Sequence, residues 1–171
     1  MDERNSEINN QYLTFVMGDE DYAIPVRGVS EVLTVPKVTP IPRMPDFMRG
    51  VVNIRGSVVP ILDLKLKFGI GTTEITPATA IVVVEVAVDE GTDGESVLRL
   101  GVFADAVKKV VTLAASEIEP PPRIGTRIKT SFIEGMGHLG DDFVVILNMR
   151  EILTDDELAL VESAKEVPAG A

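Results

Sequence analysis

The chain has 171 residues, 45% of them apolar, which is enough for one moderate domain or two small lobes sharing a core and excludes disorder as the whole answer. Its 16 basic against 27 acidic residues leave a net charge of −11, which repels phosphate backbones and anionic membrane, so neither nucleic acid nor direct membrane insertion is expected. With no Cys there is no disulfide framework, no thiolate nucleophile and no Cys-based metal site.

The opening MDERNSEINNQ is polar and acidic where a secretory signal needs a positive start and an apolar stretch, so a cytoplasmic protein is expected. From Tyr12, YLTFVM, a GDED turn and YAIPV read as two short strands in a hairpin. Residues 28–33 read as a short helical turn, because V-x-x-V with Glu between does not alternate cleanly. PKVTPIPRMP is a Pro-rich connection. In VVNIRGSVVPILDLKLKF, Arg55 and Gly56 interrupt two β-branched runs as a turn or bulge, and Pro60, which cannot donate to a ladder, is expected at an edge or bulge. TAIVVVEVAV, β-branched on both faces, is the most strand-like segment; DEGTDGES turns it into VLRLGVFA. VKKVVTL follows, then the Pro-rich EIEPPPRIG, then DDFVVILNM. Thr154 with Glu157 forms a capping box that opens a last helix, ended by Pro168.

The chain also echoes itself. FMRGVVNIRGSVVPILDL from Phe47 matches FIEGMGHLGDDFVVILNM from Phe132 at an offset of 85, and YAIPVRGVSEV from Tyr22 answers LGVFADAVKKV from Leu100 at an offset of 78. Each half holds a Pro-rich connection in the same place. Two similar lobes of about five strands, each too small to be secure alone, are the expected architecture.

Catalytic chemistry finds little support. GMGHLG at 135–140 satisfies G-x-G-x-x-G as a string, but it runs into a strand rather than a helix, so it reads as a glycine-rich hairpin turn and not a dinucleotide site. His138 is the single histidine, which excludes a multi-histidine metal site within one chain, and its turn position predicts solvent exposure. No Ser sits in a G-x-S-x-G setting, and the carboxylates cluster in turns without the pattern of an EF-hand. No cofactor or metal is expected. Asp63 is the exceptional acid: in VVPILDL an unpaired charge is costly, so it is expected to accept backbone N–H bonds or to pair with a nearby Arg. Arg55, at a turn tip beside Gly56, either forks onto a carboxylate such as Glu31 or stays in solvent. Val29, Val32 and their echoes Val107 and Val110 are candidates for an apolar docking surface or for core.

YLTFVMGDEDYAIPVRGVSEVL, TPIPRMPDFMRGVVNIRGSVVPILDLKLKFG, LGVFADAVKKV and FIEGMGHLGDDFVVILNMREIL together resemble the CheW family of bacterial chemotaxis coupling proteins, over residues 12 to about 153. The resemblance implies an all-β fold of two packed five-stranded SH3-like β-barrel subdomains with short helical turns and a C-terminal helix. The lobes would span about 22–68 and 97–153 with flanking strands exchanged or shared, between a flexible 1–11 and a helix 154–167 with a tail at 168–171. It implies a non-enzymatic adaptor, cytoplasmic and recruited to membrane-associated receptor arrays, that couples the cytoplasmic tip of chemoreceptors to the regulatory domain of the histidine kinase CheA. The receptor tip, a helical hairpin, would dock between the barrels near Val29, Glu31, Arg55, Gly101 and Val107, with Arg55 and Glu31 as polar anchors; Gly56 and Asp63 would be structural or interface positions. Lys109 and Asn148 stand where the family usually carries acids, and the tail is longer and more acidic than a minimal member's. From another class, the same module could be the regulatory end of a histidine kinase, but the chain has no ATP-binding region.

Overall fold

The computed structural model describes residues 10–89, 95–121 and 129–164. The first hairpin is β1 (Gln11–Met17) and β2 (Glu20–Pro25), turning at Gly18, whose φ is +64°. After a 3-10 turn at Val26–Gly28 come β3 (Val29–Thr34), β4 (Met48–Ile54), β5 (Ser57–Leu62), the short helix α1 (Leu64–Phe68), β6 (Ala80–Asp89) and β7 (Glu95–Ala104). Then follow β8 (Ala106–Thr112), the two-residue β9 (Ile118–Glu119), β10 (Ile133–Leu139), β11 (Asp142–Leu147), α2 (Met149–Ile152) and α3 (Asp155–Ala164).

The strands form two sheets, ordered β8-β1-β2-β11-β10-β9 and β3-β6-β7-β5-β4. The echo heard in the sequence is geometric. β4–β5 and β10–β11 are equivalent hairpins, each with a bulge at its Gly, between Met48 and Gly50 and between Ile133 and Gly135. Ile61 pairs in parallel with Gly101, and at the matching offsets Ile146 pairs with Ala23. Each Pro-rich connection pairs with its hairpin at the matching place, Thr39 with Val51 and Glu119 with Met136, the second adding Ile118 with Gly137. The chain is therefore an all-β duplication with a C-terminal helix.

The lobes are cut differently from the expected spans 22–68 and 97–153. One sheet is continuous from β3 to β7; the other takes β1 and β2 from the start of the chain and β8 to β11 from its end. β2, expected to open the first lobe, pairs with β11 instead. Each sheet has a small core of its own, Val52, Ile54, Val59, Ile61, Ile81, Val83 and Phe103 in one and Ala23, Leu113, Val144 and Ile146 in the other. The largest cluster lies between them and draws Phe15, Tyr22, Leu62, Val82, Val84 and Leu100 from both. β6 thus buries both faces, Ile81 and Val83 inward and Val82 and Val84 toward the partner sheet, which explains its unbroken β-branched run.

Several expectations change. Residues 28–33 are mostly strand, not a helical turn; a register shift between Val29 and Glu31 breaks the alternation that sequence reading looked for. Pro60 is in an interior strand, between β4 and β7, not at an edge, one pair from the bulge at Gly50. Val51 exchanges its N–H and C=O bonds with Thr39, so its pairing with Pro60 is a non-hydrogen-bonded one, and β7 pairs only with Ile61 and Leu62. No ladder N–H is asked of the proline. Within GMGHLG, residues 135–139 belong to β10 and only Gly140, at φ +63°, reaches the turn. Gly137 instead makes room: a Cβ there would stand 2.7 Å from Leu113. His138 is half-buried rather than free, its Nε2 3.1 Å from Glu119 and its ring against Phe143. The tip of DEGTDGES, the second half of EIEPPPRIG, most of the expected flexible N-terminus and the tail lie outside the described residues.

Helix α3 opens on the expected box: the Glu157 N–H donates to Thr154 Oγ1 at 3.1 Å and the Thr154 N–H to Glu157 Oε1 at 2.9 Å. It follows one sheet in the chain but packs Val161 and Ala164 into the shared core, with Lys67 of α1 holding Glu157 at 2.5 Å. Burial pushes the Glu157 carboxyl up, but the Lys67 ammonium and the Thr154 bonds outweigh it and hold it below its ordinary 4.5. This stabilisation is complete above the unfolded value and is lost as pH falls through the lower folded value. The difference in urea midpoint between wild type and Glu157→Gln is therefore expected to persist from neutral pH down to about 4.5 and to shrink below it. A difference that stays constant down to full protonation would show that the ion pair does not fasten α3.

Candidate functional site

Glu31 lies on β3, one edge of its sheet, and its carboxylate receives Arg55 from the tip of the β4–β5 hairpin at the other edge. The pair closes the sheet on itself. The two-residue loop that presents Arg55 needs positive φ at both positions, found at Arg55 (+50°) and Gly56 (+86°), as a type I′ hairpin turn requires. Gly56 takes that geometry without a Cβ and donates its N–H to Asn53 Oδ1 at 2.8 Å. Arg55 takes it at a cost of order 1 kcal/mol, yet its side chain stays 76% exposed.

A third group joins them. Arg99 of β7 reaches across β6 to place Nη2 3.3 Å from the same Glu31 oxygen and 3.3 Å from Ser30 Oγ. Sequence reading missed it. Its trace was a charge between Leu98 and Leu100 in a strand, a placement that calls for an acid nearby, but the register that selects Glu31 over the directly opposed Glu85 is tertiary.

Val29 and Val107 stand at the starts of the two edge strands β3 and β8, half-buried against the shared core. Val32 and Val110, at the echoing positions farther along, are exposed. Val29 and Val32 alternate to opposite faces of β3, so they do not form one patch. Gly101, expected near the groove, lies inside the sheet. It is buried in β7, where a Cβ would meet Ile61 Cδ1 at 2.6 Å and Ile81 Cγ2 at 2.7 Å, so the close packing of β7 on its neighbours requires the missing side chain.

Between the sheets opens a cleft of about 340 Å³, bordered by Ile24, Arg27, Val84, Glu134 and Met149. Burial first, then Glu134, pushes the Tyr12 phenol up, with Arg27 pulling the other way. Asp63, at the far end of β5 from the Arg55–Gly56 turn, is fully buried: it accepts Arg49 Nη1 at 2.9 Å, the Thr73 N–H at 2.9 Å, the Thr73 hydroxyl at 2.8 Å and the Lys65 N–H at 3.2 Å as N-cap of α1. Among the described residues no group of three His, Cys, Asp or Glu could hold a metal ion. Nor is any helix of the described residues long and apolar enough to cross a membrane.

The CheW-like domain model matches residues 11–157. The chain belongs to the CheW family. It is 31% identical to the chemotaxis protein CheW of Klebsiella aerogenes over 91% of this chain and 89% of that one. It is 30% identical to CheW of Helicobacter pylori over 90% and 87%. Its fold matches the crystal structure of the scaffolding protein TtCheW from Thermoanaerobacter tengcongensis with a TM-score of 0.75 and 30% identity, covering 87% and 90% of the two chains. As a CheW-family member it is a chemotaxis coupling and scaffolding protein, an adaptor and not an enzyme. The clasp of Glu31 with Arg55 and Arg99 is therefore to be understood as a feature of a protein that works by holding others.

Proposed function

We propose that the chain couples chemoreceptors to the histidine kinase CheA, binding the helical cytoplasmic tip of the receptor at the Glu31–Arg55 corner beside Val29 and Val107, and the kinase's regulatory domain at a different edge of the sheets. It would then act in the cytoplasm, recruited to receptor arrays, with residues 12–153 as the binding module. The observation that supports this reading most is Arg55 itself. It is a charged side chain in positive φ on a hairpin tip, mostly in solvent, paired with a glutamate on the edge strand that begins at the half-buried Val29. A residue kept in a costly conformation where it adds little to packing is a candidate for contact with a partner.

Titration of the purified chain against a receptor-tip fragment and against the kinase's regulatory domain tests the reading; a folded chain that binds neither overturns it. Arg55→Ala is expected to weaken receptor-tip binding by about tenfold, about 1.4 kcal/mol, while the melting temperature moves by only about 2 °C, because an exposed ion pair contributes little to stability. If melting temperature and affinity fall together, Arg55 is a structural clasp only.

A further inference from the structure

Two guanidinium groups share one carboxylate oxygen at Glu31, and they are not equivalent. Arg99 rises from the body of the sheet, two strands from Glu31, and is one-third exposed; Arg55 hangs on a turn and is three-quarters exposed. Arg99 Nε is buried and has no hydrogen-bond partner among the described residues, so the inner part of that side chain is held by packing while Nη2 carries its bonds to Glu31 and Ser30. The Glu31 side chain is only 21% exposed. Stripped of both cations it would be a poorly solvated charge, which is costly; with Arg99 in place it remains compensated when Arg55 leaves.

From this asymmetry we infer that Arg99 is a positioning residue that keeps Glu31 neutralised so that Arg55 can leave it for a carboxylate on the docked partner. The inference rests on the receptor-tip reading of this corner and adds the chemistry of what is recognised. With Arg55 off it, Glu31 is neutralised by Arg99, which also faces Glu85 on β6, and the released Arg55 is an unpaired +1 within a stretch, residues 27–67, that carries +4. An acidic side chain on an incoming helix completes the charge balance and matches the planar fork of Arg55. A lysine would meet a Glu31 already occupied and a surplus positive charge. Glu31 is then the resting place of Arg55 in the free protein.

The test uses the full chain and a receptor-tip helical-hairpin fragment, with affinity measured by calorimetry and folding by melting temperature. Arg99→Met leaves Glu31 dependent on Arg55 alone, so Arg55 stays on it and binding is expected to fall about tenfold. Adding Glu31→Gln releases Arg55 and is expected to restore affinity to within about threefold of wild type; adding Arg55→Ala to that pair abolishes the recovery. Rescue by removing the partner is not the behaviour of a merely structural arginine. Should Arg99→Met fail to fold, Arg99→Gln, which removes the charge but keeps a polar head, is read in the same scheme. Among glutamine replacements of the fragment's acids, one is expected to lose affinity non-additively with Arg55→Ala. The exchange is overturned if Arg99→Met binds as wild type, if Glu31→Gln gives no recovery, or if no acid of the fragment couples to Arg55. A wild-type chain that ignores the fragment overturns the receptor reading itself.

Discussion

Asp63→Ala is expected to cost about 3–5 kcal/mol of unfolding free energy, against about 1 kcal/mol for Asn148→Ala at the equivalent place in the other half. Both residues cap a short helix by accepting the N–H two residues on, at 3.2 Å in each case. Both donate their own N–H to the Phe that precedes the hairpin, Asp63 to Phe47 at 2.7 Å and Asn148 to Phe132 at 2.8 Å. The local scaffold is the same; the load on the side chain is not. Asp63 is wholly buried and also holds Arg49 and both polar groups of Thr73, itself 3% exposed. Removing the carboxylate strands a guanidinium, a buried N–H and a buried hydroxyl together, whereas Asn148 gives up a single cap bond at a half-exposed site. Urea denaturation of the two alanine variants with a common m-value measures the difference. Equal losses would show that the cap, not the buried network, is what Asp63 supplies.

That contrast marks how far the sequence could be read. The offset of 85 and the offset of 78 were visible because strands, glycines and Pro-rich connections recur in order, and these set the sheet topology. The short helices after Asp63 and Asn148 were not visible. LKLKF alternates as a strand would, and the helix forms because Asp63 caps it and Gly69, at φ +74°, turns the chain out of it. The partition into lobes was hidden because the pairing of β2 with β11 joins residues more than a hundred positions apart. At the site, Glu31 and Arg55 were legible as an acid and a turn-tip arginine within one basic stretch. Arg99 lies outside that stretch, and its role depends on which strand lies two places away in the sheet. The burial of Gly101 was hidden for a related reason: a motif match locates a residue along the chain, but its depth is set by the strand's packing, which a Gly does not reveal.

Gly50→Ala is expected to be among the most damaging single substitutions, at roughly 4 kcal/mol. Gly50 has φ +145°, which L side chains rarely adopt, and a Cβ there would lie 2.3 Å from the carbonyl oxygen of Thr39 and 2.8 Å from its carbon. Those are backbone atoms, held by the paired bonds Thr39 N–H to Val51 at 2.8 Å and Val51 N–H to Thr39 at 2.9 Å. Relief requires breaking that bridge, and the bridge is what lays the first Pro-rich connection across β4. Gly135, its counterpart, has no positive φ, and its added Cβ would meet the Ile118 methyl at 2.7 Å and the Glu119 oxygen at 3.0 Å. Part of that clash is with a side-chain end that can turn away, so Gly135→Ala is expected to cost about 1–2 kcal/mol as ordinary overpacking. Gly56→Ala, at φ +86° with open space around it, isolates the strain of positive φ alone at about 1 kcal/mol. Chemical denaturation of the three variants separates the contributions: if Gly50→Ala falls no further than the sum of the other two losses, the Thr39 crossing yields easily, and the connection is not fixed by its bridge to Val51.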